Sequence, residues 1–316
     1  MNVSKRVISI ISNTSLMMLI GLIISLGIGG FPSDFTVKSG TISMVCLIIM
    51  MTLALSTLDL KKIRFGPYKK DALNAFFLSF VASTGVTLCI AFMFTGDLRS
   101  GWILEAAVPS AVSVISFTYL WGGDVESSAV SSILIYLLAL IVTPLITLIF
   151  MGEAVSQITL LYYVGILIII PLCLSPFVRK LDIPKTVRVV FINIAFSVLV
   201  IAVAGQGRDV FFSSGTIIIA LIFFSVVRLF GLGLLHHYVL NKGGVERSKI
   251  VPGSLFITYK NTGMAAALAL VLIGPAAAVP AAITIVVEIS WLIFAGRFLF
   301  NKERDTPSTE PHHDAA

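Results

Sequence analysis

Residues 256–274 read FITYKNTGMAAALALVLIG. The stretch opens on aromatics and runs out as an uninterrupted apolar segment. In its first turns lies Lys260, followed by Asn261, Thr262 and Gly263. A lysine there needs a physical reason only if the surroundings are hydrocarbon. On insertion scales a charged side chain at the centre of a membrane helix costs about 2.5–3.5 kcal/mol.

The composition answers that condition. Of the 316 residues 57% are hydrophobic and 12% charged, against about 25% charged in soluble domains. Apolar runs recur from end to end, many near the roughly 20 residues that a bilayer-spanning helix requires. The expected fold class is an all-α polytopic membrane protein. Ten transmembrane spans are expected at residues 10–30, 39–57, 72–95, 101–121, 127–151, 157–177, 188–205, 213–240, 252–273 and 278–300. The first run could be mistaken for a signal peptide, but further apolar segments follow at once, and it reads as the first span.

Charge asymmetry gives the orientation. With the N-terminus in the cytoplasm, 17 of the 22 Lys and Arg residues fall on inside segments. Three fall outside (Lys38, Arg99 and Arg208), and Arg228 and Lys260 lie within spans. Both termini are therefore expected to be cytoplasmic. The basic balance is explained by topology and lipid contact, and no nucleic-acid partner is implied. Residues 1–302 read as a single membrane unit, and the polar tail 303–316, ERDTPSTEPHHDAA, as disordered.

Several chemistries lack their parts. Cys46, Cys89 and Cys173 stand singly in apolar runs, where cysteine usually acts as a small core hydrophobe. The histidines form two adjacent pairs, His236–His237 and His312–His313, without ligand partners at metal spacing. No phosphate-binding loop or dinucleotide fingerprint is present. No nucleophile–base constellation presents itself, so an enzyme is not expected.

Two spans carry helix-breaking and polar residues where an anchor would carry leucine. The fourth, GWILEAAVPSAVSVISFTYLWGGD, has Pro109 near its middle, with Ser110, Ser113, Ser116 and Thr118 around it. The ninth has Lys260, Asn261 and Thr262 at a comparable depth. Interrupted spans at matching places in two halves are the best sequence pointer to a transporter binding site. Irregular backbone at membrane depth is tolerated only inside protein or beside a water-filled cavity. Ionisable residues inside the spans are Glu105, Arg228, Lys260 and Glu288. Arg228 is expected to pair with Glu288 or Glu105. Glu105 reads as lying near a span end, where water could reach it.

The segments VPSAVSVISFTYLWGGDVESSAVSSILIYLLALIVTPL (108–145) and KNTGMAAALALVLIGPAAAVPAAITIVVEIS (260–290) resemble the bile acid:sodium symporter family, in the superfamily that also holds auxin efflux carriers and arsenite permeases. The resemblance implies two inverted five-helix repeats. Helices 1, 2, 6 and 7 would form a panel, and helices 3–5 and 8–10 a core in which broken helices 4 and 9 cross. It implies alternating-access transport of a small organic anion, often with two sodium ions bound behind the crossing; the cell (inner) membrane is expected separately, because no organelle-targeting segment is read in the sequence. The implied partners are that anion and the lipid bilayer, with a monomer as the expected unit.

The chain departs from this pattern at the sodium site. Sodium-coupled relatives read roughly Glu-x-Gly-x-Gln-Asn-x-Gly-Leu-Ala in helix 9. Here the Glu falls on Phe256 and the Gln on Lys260, while the Asn and Gly match Asn261 and Gly263. In helix 4 the Ser-Asn pair falls on Val114 and Ile115, and the helix 5 hydroxyls persist as Ser128 and Ser132. A hard cation needs several oxygen ligands, so the sodium site is expected to be lost and no cofactor is implied. Lys260 is expected to fill it as a tethered cation, donating to Ser128, Ser132 or freed carbonyls. Shedding its proton during the cycle would couple transport to protons; in a second version the lysine pairs with the anionic substrate. The expected binding residues are Lys260, Asn261, Thr262, Pro109, Ser110, Ser113, Ser128, Ser132 and Glu288. Glu288 would repel an anion unless paired or protonated, which leaves a neutral or weak-acid solute as an alternative beside a sodium-coupled anion.

Overall fold

The computed structural model describes residues 8–301 except 9, 33, 60–63, 153–154 and 214. The tail 303–316 lies outside the described residues, as do Lys5, Arg6 and His312–His313. The helices are α1 (Thr14–Ile28), α2 (Ser39–Leu55), α3 (Lys69–Ala91), α4 (Gly96–Ala107), α5 (Val114–Leu120), α6 (Val125–Met151), α7 (Gln157–Arg179), α8 (Lys185–Gln206), α9 (Gly215–Lys242), α10 (Arg247–Thr258), α11 (Thr262–Leu272) and α12 (Pro275–Leu299). A short helix, Arg208–Ser213, precedes α9. Among the described residues there is no strand, only one isolated bridge between Ser110 and Lys260.

Among the described residues six helices are long and apolar enough to cross a membrane: α3, α6, α7, α8, α9 and α12. The apolar helices α1, α2 and α11 are shorter. Large apolar side chains such as Ile141, Ile219 and Phe223 stand exposed on the outer faces of α6 and α9. In water that surface would be a liability; in lipid it is the solvated face. The chain is an all-helical polytopic membrane protein.

Cap chemistry sets several starts. Asn13, Asp124 and Ser156 each accept a hydrogen bond from a backbone N–H of the helix they precede, as good N-cap residues do. Pro275 opens α12 after Gly274, whose φ of +144° suits glycine. Helix α8 packs on α1 and α2, and α7 packs on α2. Around the other side α12 packs on α4, α9 and α11, while α3 packs on α4 and α6. Gly101 of α4 lies so close to Ala277 of α12 that a β-carbon would strike the alanine carbonyl. Small residues at such a crossing let backbones approach closely.

Three features recur 150 residues apart. Helix α3 contains a π-helical stretch, Phe77–Ser83, and α9 contains one at Val227–Gly231. Helix α6 begins at Val125 and α12 at Pro275. Ser110 and Lys260, the bridged pair, are separated by the same interval.

One expectation about the core fails. Cys46 is buried, but Cys89 and Cys173 are exposed. They lie on outward faces of apolar helices, where a small apolar side chain suits lipid as well as it suits a core.

Candidate functional site

Each of the two expected breaks has its own local cause. Helix α4 stops at Ala107 because the residue before a proline is driven out of the helical region; Val108 is extended, with ψ of 154°. The second break has no proline. Tyr259 leaves the helical region at φ −97° and ψ 88°, and Asn261 restarts the helix as N-cap, its Oδ1 accepting from Met264 N at 3.1 Å. The two gaps then satisfy each other. Asn261 N donates to Pro109 O at 2.8 Å and Ala111 N to Tyr259 O at 3.1 Å. Four backbone groups released by the two breaks are thus paired with one another, as hydrocarbon surroundings favour.

Side chains at the crossing extend the exchange. Ser110 Oγ donates to Ser79 Oγ at 2.7 Å and contacts Phe256 O at 3.2 Å. Lys260 Nζ donates to Ala106 O at 2.9 Å, to Val108 O at 2.9 Å and to Thr84 Oγ1 at 3.0 Å. Phe256 and Ala106 each stand four residues before the bridged partner, so each chain reaches back to the same place on the other. The face of the Phe80 ring lies 5.0 Å from Nζ, within cation–π range. The hydroxyl proton of Thr84 is directed to Ala106 O at 2.7 Å. All three polar contacts of Nζ therefore need an N–H from the lysine. An ammonium has three such donors and a neutral amine two, so the geometry fits the charged form.

These partners correct part of the expected ligand set. The ammonium meets freed carbonyls of the α4 break, but it meets neither Ser128 nor Ser132. Ser128 Oγ donates to Thr118 Oγ1 at 3.0 Å, and Ser132 Oγ has no hydrogen-bond partner. Both hydroxyls sit on α6, whereas the lysine side chain runs toward α3 and α4.

A second buried charge group lies beside the first. Arg228 Nη2 donates to Glu105 Oε1 at 2.8 Å and stands 3.8 Å from Glu288 Oε1. Thr284 donates to Glu105 Oε2 at 3.2 Å and contacts Ser225 at 3.0 Å. Thr262 Oγ1 donates to Glu288 Oε2 at 2.7 Å. Arg228 thus pairs with both carboxylates expected as alternatives. Relative exposures are 0% for Glu105 and Arg228, 1% for Lys260 and 3% for Glu288. Two cations and two carboxylates sum to zero, the condition under which buried charges are tolerable. The expectation that water could reach Glu105 fails, because α4 ends at the crossing and its terminal turn lies inside the protein.

A cavity of about 790 Å³ opens against the crossing, within the volume range of ligand sites. Met18 of α1, Met51 of α2, Ser113, Tyr259 to Gly263, and Glu288 of α12 are among its walls, and Lys185 and Arg188 of α8 line it too. Of the expected residues, Ser113, Lys260, Asn261, Thr262 and Glu288 line it, while Pro109, Ser110, Ser128 and Ser132 do not. None of the three acceptors of Nζ is a lining residue either. Asn261 Nδ2 donates to Tyr136 Oη at 2.9 Å, and Ser113 meets Tyr259.

Sequence reasoning missed Thr84, Phe80, Tyr136 and Thr284, and undervalued Glu105. A hydroxyl in an apolar helix looks like ordinary helix–helix glue, and nothing in the sequence marks the π-helical stretches. For Glu105 a signal existed: it stands one turn before Pro109, hence one turn before a break.

The model of the Sodium Bile acid symporter family matches residues 44–214, just over half of the 316 residues. The matched region includes the first broken helix and ends before the second. No curated protein matches the chain. The family match, the apolar helices and the paired breaks agree: the chain belongs to the sodium bile acid symporter family and is a multi-pass membrane transporter of the bile-acid symporter type.

Proposed function

We propose that the protein is a secondary transporter that moves a small organic anion by alternating access without sodium. The carrying observation is Lys260. Its ammonium holds three oxygens at the crossing, and Phe256 supplies no ligand where related symporters place a carboxylate. Oxygen donors are what sodium would need, and a tethered cation already engages them. The lysine acts as a built-in substitute that keeps the two broken helices crossed whether or not substrate is bound. It does not pair with the substrate, since its three N–H groups are committed away from the cavity.

An anion is favoured by Lys185 and Arg188, which line the cavity and draw negative charge toward it. Glu288 does not oppose this while Arg228 stands 3.8 Å away. In this reading ten spans form two inverted repeats, with α4–α5 and α10–α11 each one interrupted span. The recurrence at 150 residues supports it. The panel is α1, α2, α7 and α8, the remainder is the core, and a monomer sits in the inner membrane.

The test is uptake of a panel of labelled small organic anions into proteoliposomes with potassium as the only alkali cation. Uptake of at least one anion, unchanged on replacing potassium by sodium and lost in Lys260→Ala, is expected. Uptake that requires sodium would overturn the reading.

A further inference from the structure

Glu288 is the one member of the buried charge group that both lines the cavity and keeps an oxygen without a hydrogen bond. Its Oε2 accepts from Thr262, and its Oε1 has no hydrogen-bond partner. Arg228 is shared unequally, with Glu105 at 2.8 Å and Glu288 at 3.8 Å. We propose that Glu288 is the proton-coupling residue of the transporter, which makes the transport an anion–proton symport. The inference rests on the anion-transport reading above.

The surroundings of Glu288 are complete enough to argue the charge balance. Helix α4 presents Glu105, α9 presents Arg228, and the crossing presents Lys260 and Tyr259. Helix α11 presents only the hydroxyl of Thr262 there. Helix α1 has no titratable side chain, and α8 contributes Lys185 and Arg188 elsewhere on the cavity wall. With every group ionised, Glu105, Arg228, Lys260 and Glu288 sum to zero. When Glu288 takes a proton at Oε1, the buried oxygen on the Arg228 side, Arg228 stays with Glu105, and the group carries one net positive charge. A monovalent anion entering the cavity restores zero. Proton and anion are thus held together or not at all, because either alone leaves an uncompensated charge in a low-dielectric site. Release on the far side returns the proton to water and the carboxylate to Arg228. Per cycle one anion and one proton move in the same direction, and no net charge crosses the membrane.

Lys260 cannot take this part while it donates to three oxygens away from the cavity. A cationic group of the substrate is a poorer occupant of the Glu288 site than a proton, since Lys185 and Arg188 line the same cavity and repel cations.

Two measurements test the proposal. The first needs no substrate: infrared difference spectra of the purified protein across an acid titration. A protonated-carboxyl band from a buried site is expected in wild type, absent in Glu288→Gln and retained in Glu288→Asp. The second uses the anion taken up by wild type in sodium-free proteoliposomes. In the same vesicles, accumulation driven by an inside-alkaline pH gradient is compared with gradient-free exchange. Wild type and Glu288→Asp should accumulate above exchange, and Glu288→Gln should fall to the level of exchange alone. A band that persists in Glu288→Gln, or gradient-driven accumulation undiminished in that variant, overturns the assignment. Sodium-free uptake in wild type that ignores the pH gradient also overturns it, yet leaves the anion-transport reading intact. Absence of any sodium-free uptake defeats that earlier reading instead.

Discussion

Lys260 ties three separate elements, since its acceptors lie on α3, at the last turn of α4 and in the break that follows. Removing the ammonium takes one donor from each of those oxygens, leaves Ala106 O with the Thr84 hydroxyl alone, and leaves the buried group with a net negative charge. Hydrogen bonds to a charged group contribute about 1.5–3 kcal/mol each, so Lys260→Ala should melt markedly lower and transport little. Lys260→Arg should not rescue transport, because a planar fork cannot meet three acceptors arranged around a point charge. For Arg228 and Glu105 the test is a double-mutant cycle read by thermal melting. Arg228→Met and Glu105→Gln should each destabilise, and the double variant should lose clearly less than their sum; simple additivity would mean that the 2.8 Å pair is not coupled. At this scale the sequence was readable where polarity interrupts an apolar run, as at Lys260, Asn261 and Thr262. It was silent at Thr84 and Tyr136, whose partners arrive from distant positions and leave no local mark.

The two helix breaks differ in chemistry. Proline ends α4, so the first break was plain in the sequence. The second depends on Asn261, which caps α11 through Oδ1 and donates to Tyr136 through Nδ2. Loss of a cap costs about 0.5–2 kcal/mol, so Asn261→Ala should lower the melting temperature modestly. Asn261→Asp keeps the cap oxygen but adds a negative charge to the cavity wall; it should hold stability closer to wild type and bind an anion more weakly. Equal stability loss in the two variants would contradict the capping role. Close contact between α4 and α12 makes a further demand. Gly101→Val would drive a side chain into the Ala277 carbonyl, and the resulting shift should reduce yield of folded protein. Positions of the helices were legible from apolar run length and charge bias. The π-helical stretches were not, although they carry Arg228 and immediately precede Thr84.

For the whole molecule, the cavity and the family match set what the parts can do. A chamber of about 790 Å³ touches the crossing and carries Lys185 and Arg188 on its wall. Exchanging both for glutamine should raise the KM for the transported anion and flatten its dependence on ionic strength, because charge attraction of this kind is screened by salt. An unchanged KM at low salt would remove α8 from the anion path. The family description names sodium, yet the match ends before the second broken helix, which carries Lys260. The central claim is therefore about an ion. The most direct measurement is the melting temperature of the detergent-purified protein as sodium chloride replaces potassium chloride at constant ionic strength. A ligand bound only by the folded state raises that temperature. A flat response is predicted, because the lysine already engages the crossing; a saturable rise specific to sodium would contradict the account.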